Sequence, residues 1–204
     1  TYENDKYVKF LKQKQIPFVA VGKFPDDDVV QVDHDNVGAC KELVTVLFAK
    51  GIQNIAYLGS NMDQMVNRCR YQGYEEAYRK GKRKLNQDLV YTDLSSRAMV
   101  EKAVEELKNS GVECILCQDD YICDEVVRKL ARMGVRIPDQ MKVASCHYSR
   151  ILENYPVTIT SLKFNITELG RRSCQVLLDM IHGKTVPDKT LLDYEIILKE
   201  STKG

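Results

Sequence analysis

Four short polar stretches follow apolar, strand-like runs, at residues 59–63, 93–96, 118–121 and 146–150. They present Ser60, Asp93, Asp119, Tyr121, His147 and Tyr148, and Arg70 lies on a helical pattern between the first two. Guanidinium, carboxylate and imidazole are planar, directional hydrogen-bonding groups, and tyrosine adds a ring face with a polar tip. Such a set can fix the hydroxyls of a sugar-like ligand in a largely preformed cleft, with Arg70, Asp119 and His147 the best suited in type. It is a poor set for covalent chemistry. The histidines, His34, His147 and His182, are accompanied by no Gly-x-Ser-x-Gly elbow. Neither a Gly-x-x-x-x-Gly-Lys-[Ser/Thr] loop nor Gly-x-Gly-x-x-Gly occurs, so no nucleotide cradle, no cofactor and no enzyme are expected.

Metal chemistry fares no better. Cys114-Ile115-Leu116-Cys117 has zinc-knuckle spacing but lies in a buried-strand pattern, with no second Cys/His pair downstream. Asp26-Asp27-Asp28 reads as a solvated acidic turn between two strands, and the basic run at residues 81–84 as a solvated loop. No metal site is expected. The seven cysteines are an odd number, and Cys40, Cys114, Cys117, Cys146 and Cys174 sit in or beside apolar runs, where a free thiol behaves as a small buried hydrophobe. Thirty Lys+Arg against 29 Asp+Glu leave a net charge of +1, so no global positive field holds nucleic acid. No apolar run approaches about 18 residues, and the polar opening has no signal-peptide core, so a soluble cytoplasmic protein without membrane contact is expected.

The elements that must carry these residues alternate between short apolar runs and helical periodicity, the signature of α/β architecture with parallel sheets flanked by helices. The spacing predicts a helix over 5–15, strands at 16–21 and 29–32, and a helix capped by Asp35 or Asn36 and stopped at Gly51. Strands at 55–58, 89–91, 113–117 and 142–145 follow, separated by helices ending near Lys80, Gly111 and Gly134. An extended segment at 156–162 leads to a helix capped by Asn165 and Glu168, then a β tail at 190–201. Residues 81–88 and 158–164 are the expected passages between two lobes.

Several strings in this order resemble landmarks of the lactose/galactose repressor family of bacterial transcription regulators. They are Val32-Asp33-His34-Asp35-Asn36-Val37-Gly38-Ala39, Gly51-Ile52-Gln53-Asn54-Ile55-Ala56-Tyr57-Leu58-Gly59, Arg70-x-x-Gly73-Tyr74, Gly134-x-x-Ile137-Pro138-Asp139-x-x-Lys142-Val143-Ala144, and Pro156-x-Thr158-x-Thr160-Ser161-Leu162 with Leu169-Gly170. Within the family, residues 16–23, the Asp-x-Asp-Asn form at 33–36 and Thr160-Ser161-Leu162 look most like maltose-operon repressors. The resemblance implies a two-lobed periplasmic-binding-protein-like fold that binds maltose, a maltodextrin or a related glucoside between the lobes. It also implies a homodimer acting on operator DNA through an N-terminal helix-turn-helix absent from this chain. The rival reading is a secreted or lipid-anchored sugar-binding protein of a transporter, which shares the fold.

Carried over by motif, Arg70 clamps ligand hydroxyls, Asp119 stands where the family often has Asn, and His147 where many members have Asp. Ionised Asp119 only accepts hydrogen bonds, and His147 can change charge near neutral pH. Leu94 lies near the place of an aromatic platform in some members, which leaves stacking to Tyr148 or Tyr121. Ordinary roles stay open: an exposed helix residue for Arg70, a helix N-cap for Asp119, a turn residue for His147. The expected division is a partial N-terminal lobe at 1–60, a C-terminal lobe at 61–160, a return to the first lobe at 161–185, and a β tail at 186–204 in the C-terminal lobe. Relatives have a strand, a helix and a second strand before the segment equivalent to 5–15, so Thr1 is not expected to be a natural start.

Overall fold

The computed structural model describes residues 5–26 and 28–203; the polar opening and Asp27 of the acidic turn lie outside them. Two sheets organise the chain. The larger has six strands in the order β4-β3-β5-β6-β7-β9, where β3 is Ile55–Leu58, β4 Val90–Tyr91, β5 Cys114–Cys117, β6 Lys142–Ser145, β7 Thr160–Phe164 and β9 Tyr194–Ile197. The smaller holds β1 (Ala20–Val21), β2 (Gln31–His34) and β8 (Lys189–Leu192), with β2 in the middle. Every pairing is parallel except β7 with β9. The fold is the α/β class that the alternation predicts.

Strand period explains the layering. Ile55 and Tyr57 of β3, with Cys114 and Leu116 of β5, face one side, while Ala56, Leu58, Ile115 and Cys117 face the other. The first side is covered by α2 (Asn36–Ala49) and α3 (Met65–Lys80), the second by α4 (Arg97–Leu107) and α5 (Asp120–Arg132). Burial on both faces is why these strands read as continuous apolar runs. Asp35, Ser96 and Asp119 cap three of the four helices by accepting from backbone N–H groups within the first turn. The helix α1 (Lys6–Gln13) precedes β1, and α6 (Ile166–Ile181), capped by Asn165, packs against the smaller sheet.

Several boundaries differ from expectation. Only Ala20–Val21 of the apolar run at 16–21 is strand, because Pro17 has no N–H to donate and the run has β2 as its one partner. The strand β3 belongs to the six-stranded sheet, so the smaller lobe's first segment ends near Asp35 and not at residue 60. Residues 81–88 join α3 to β4 within the larger lobe. In the tail, β8 pairs with β2 and only β9 joins the larger sheet, with a 3-10 turn at Glu200–Thr202 closing the chain. The chain therefore passes between lobes near residues 34–36, 164–166 and 192–194. Lys12 bridges Asp26 at 3.1 Å and Asp28 at 2.7 Å, which ties the acidic turn to α1. Cys174 lies exposed on α6, against the expectation that it is buried.

Helices α2 and α3 touch closely at Gly73, where a Cβ would meet the Val37 carbonyl at 2.4 Å and Cys40 Cβ at 2.8 Å. A carbonyl cannot step aside as a flexible side chain can. Gly73→Ala is expected to lower stability by about 1–3 kcal/mol through overpacking, and Gly73→Val by more, as read from urea unfolding midpoints; unchanged midpoints would show that the helices separate freely.

Candidate functional site

Residues at or just after the C-terminal ends of β2, β3, β5 and β6 come together through hydrogen bonds and ring contacts, at the place where ligands lie in open α/β sheets. Arg70, on α3, is buried at this junction with 8% exposure. Its Nε donates to Asn36 Oδ1 at 3.3 Å and an Nη to the Gln118 carbonyl at 2.9 Å, and the guanidinium lies 5.9 Å from the centre of the Phe164 ring. Asn36 Nδ2 in turn donates to the His34 carbonyl at 3.2 Å and to Asp33 Oδ1 at 3.4 Å. Asp33 also receives the backbone N–H groups of Lys23 at 2.9 Å and His34 at 2.8 Å. Burial pushes the Asp33 carboxyl up, against the pull of those N–H groups.

Phe164 gathers the cluster. Its ring centre is 4.9 Å from that of His34 and 6.3 Å from that of His147. Beyond it, His147 Nδ1 lies 3.0 Å from Asp120 Oδ1. Burial alone would raise the Asp120 carboxyl, but hydrogen bonds from His147 and Ser149 outweigh it and hold the group below the usual carboxylate range. Burial pulls the His34 imidazole down, against the pull of the Asp33 charge.

The predicted residues part company here. Arg70 and His147 converge on Phe164. Ser60 joins them indirectly: its N–H donates to Gln118 Oε1 at 3.1 Å, and its carbonyl takes Asn67 Nδ2 at 2.9 Å. Tyr148 borders the same cleft, with its hydroxyl on Glu153. Asp119 accepts the Ile122 N–H at 2.9 Å as the α5 cap, while its neighbour Asp120 faces His147. Tyr121 is 70% exposed and Asp93 is also exposed, and neither lines a described cavity. Phe164, Asn36, His34, Asp33, Gln118 and Asp120 went unchosen. The signals present were the polar string at 33–36, the residue after the strand at 160–162, and the acidic pair at 119–120.

Two adjoining cavities share Leu191. One of about 240 Å³ is walled by Lys23, Asp33, His34, Asn36 and Cys69. The other, of about 920 Å³, opens beside His147, Tyr148 and Phe164. Among the described residues no group of three His, Cys, Asp or Glu side chains could hold a metal. Cys40 and Cys146 approach to 3.5 Å beneath the site, fully buried, and burial pushes the Cys40 thiol up, which suits packing and not nucleophilic attack. Among the described residues no helix is long and apolar enough to cross a membrane.

The periplasmic binding protein-like domain profile matches residues 44–202. The HTH-type transcriptional regulator CelR of Thermobifida fusca is 26% identical over 206 residues, which cover 98% of this chain and 61% of the relative. HTH-type transcriptional regulator MalR of Streptococcus pneumoniae is 27% identical over 206 residues, covering 97% of this chain and 60% of that protein. This chain thus spans about three fifths of the length of these relatives, which are transcriptional regulators and not enzymes. A solved complex of CelR with cellobiose superposes with a TM-score of 0.87 at 25% identity, covering 98% of this chain and 63% of that one. A structure described as a probable maltose operon repressor MalR from Staphylococcus aureus superposes with a TM-score of 0.89 at 18% identity, covering 100% of this chain and 73% of that one, and so shares the fold.

The His147–Asp120 pair has a pH signature. A carboxyl held below its unfolded pKa stabilises the fold above the ordinary carboxylate range, and that contribution disappears as pH falls through the folded value. Asp120→Asn is therefore expected to cost on the order of 1 kcal/mol at pH 7, His147 being partly solvated. The gap to the wild type should close in denaturant titrations as pH falls below the ordinary carboxylate range, and a gap independent of pH would contradict the pairing.

Proposed function

Since this chain belongs to the periplasmic binding protein-like domain family, in the form carried by regulators of the lactose/galactose repressor type, we propose that it is the effector-binding part of a DNA-binding repressor responsive to a neutral glucoside. The observation that carries this reading is the cluster at the junction of the lobes. Arg70, Asn36, His34, Phe164 and His147 belong to both lobes or to the chain passages between them; His34 and Asn36 wall one cavity, His147 and Phe164 the other, and Arg70 ties the two walls together through Asn36 and the Phe164 ring. Maltose or a maltodextrin is the preferred effector from the sequence landmarks. Cellobiose, the ligand in the CelR complex, is the competing glucoside.

In this reading the effector binds one lobe arrangement better than the other, and the difference in affinity is the signal. A coupling of about 1–3 kcal/mol changes operator affinity roughly five- to 150-fold. Operator contact falls to a helix-turn-helix that these residues do not include, and a homodimer sets the spacing of two such heads on a palindromic site. Arg70 is the ligand clamp: two of its nitrogens are held by Asn36 and the Gln118 carbonyl, which orients the rest of the fork.

Thermal unfolding with maltose, maltotriose, cellobiose, trehalose, lactose and glucose 6-phosphate tests the reading. A ligand at about 100 times its Kd adds roughly 2.7 kcal/mol, so one glucoside is expected to raise the midpoint by several degrees, and Arg70→Ala to abolish the rise. Absence of a shift with every sugar would overturn the sugar reading while leaving the family intact.

A further inference from the structure

The small cavity is walled on one side by a histidine. His34 ends β2, the central strand of the smaller sheet, and is 6% exposed. One ring nitrogen hydrogen-bonds the backbone of Asn165 in a way that favours the protonated ring, so that nitrogen carries the hydrogen and the Asn165 carbonyl accepts it. The other, Nε2, is buried and has no partner among the described residues. A neutral imidazole that donates at Nδ1 has a lone pair at Nε2. A buried acceptor left without a donor is costly, and its neighbours offer no relief within reach. The charged and titratable groups around the ring are Asp33 on its own strand, His147 across Phe164, and Lys23, Asp35, Cys69 and Lys189 in the cavity wall.

We propose that His34 determines specificity in the effector site, with Nε2 accepting a hydrogen bond from a hydroxyl of a neutral, hydroxyl-rich ring seated in the small cavity. This rests on the sugar reading above and adds a subsite to it. The cavity, about 240 Å³, suits a single ring and not a disaccharide, and it shares Leu191 with the wall of the larger cavity. Its acceptors, His34 Nε2 and the carboxylate of Asp33, favour hydroxyl donors, and Lys23 and Lys189 stand in the same wall. Asn36, also in the wall, is the residue that orients Arg70, so one ring can touch both ends of the network.

The position also gives the contact a mechanical sense. His34 lies at the first chain passage between the lobes, and the Asn165 carbonyl it holds lies at the second. Leu191, which lines both cavities, lies just before the third. A hydroxyl on Nε2 therefore attaches the ligand to an imidazole that already joins two of the three passages.

Two substitutions divide the ring's functions. In H34N the amide replaces Nδ1 and keeps the Asn165 bond, with nothing at the Nε2 position; in H34Q the amide reaches the Nε2 position. Isothermal titration of the wild type and both variants with maltose and cellobiose, then with monodeoxy analogues of whichever binds, gives the readout, and unliganded unfolding midpoints establish that the variants fold. H34N is expected to bind about tenfold more weakly, and H34Q within about threefold of the wild type. One monodeoxy analogue should bind the wild type about tenfold more weakly than the parent sugar, yet bind H34N as well as the parent does. A wild type that binds with H34N unchanged, or deoxy losses equal in both proteins, would overturn the His34 contact and leave the sugar reading standing. A wild type that binds neither sugar nor any glucoside would remove the reading and the subsite together.

Discussion

A guanidinium withdrawn from water must have its hydrogen bonds supplied by the protein, and the placement of Arg70 makes that demand organise the whole junction. Its partners come from different parts of the fold: Asn36 from the first turn of α2, the Gln118 carbonyl from the end of β5, and the ring of Phe164 from the end of β7. Each partner is positioned by further bonds. Asn36 is anchored on the end of β2, and Gln118 receives the N–H of Ser60 from the end of β3. Disturbing any one of these leaves a buried charge or a buried carbonyl short of a partner, which costs more than the bond itself contributes.

The larger sheet supplies the rigidity that such a network needs. Its central strands are covered on both faces, and the close contact at Gly73 brings α2 against α3. These are the two helices that carry Asn36 and Arg70, so the same packing that buries Leu43, Leu47 and Tyr74 also sets the distance between two site residues. The smaller sheet contributes His34 and Asp33 through β2, which is paired on both sides. Stability and recognition thus share residues at the junction, whereas the exposed basic loop at 81–84 takes no part in it.

How much was legible depended on whether the signal was local. Strands β3, β5 and β6 showed as apolar runs because both of their faces are buried, and Asp35 and Asn165 announced helix starts by side-chain chemistry that acts within one turn. Arg70 and His147 were found from their places after strands and from family landmarks. Asp119 and Asp120 show the limit: adjacent acidic residues at a helix start are equivalent in sequence, and the direction of the first helical turn makes one a cap and turns the other toward His147. Lobe membership was similarly hidden. The string at 55–58 is equally apolar in either sheet, and only pairing with β4 and β5 places it in the larger one.

By itself the sequence determined the α/β class, the order of most elements, the family landmarks and the types of group available to a ligand, since periodicity, capping and residue chemistry act over a few neighbours. Only the tertiary structure decided which groups meet. The Phe164 ring joins His34, Arg70 and His147, which come from three separate segments of the chain. It also decided that three chain passages join the lobes, that β8 and β9 part to different sheets, and that His34 Nε2 is buried with no partner among the described residues. The physical reason is that hydrogen-bond satisfaction in a buried junction depends on every element arriving there, and no local pattern along the chain records that arrival.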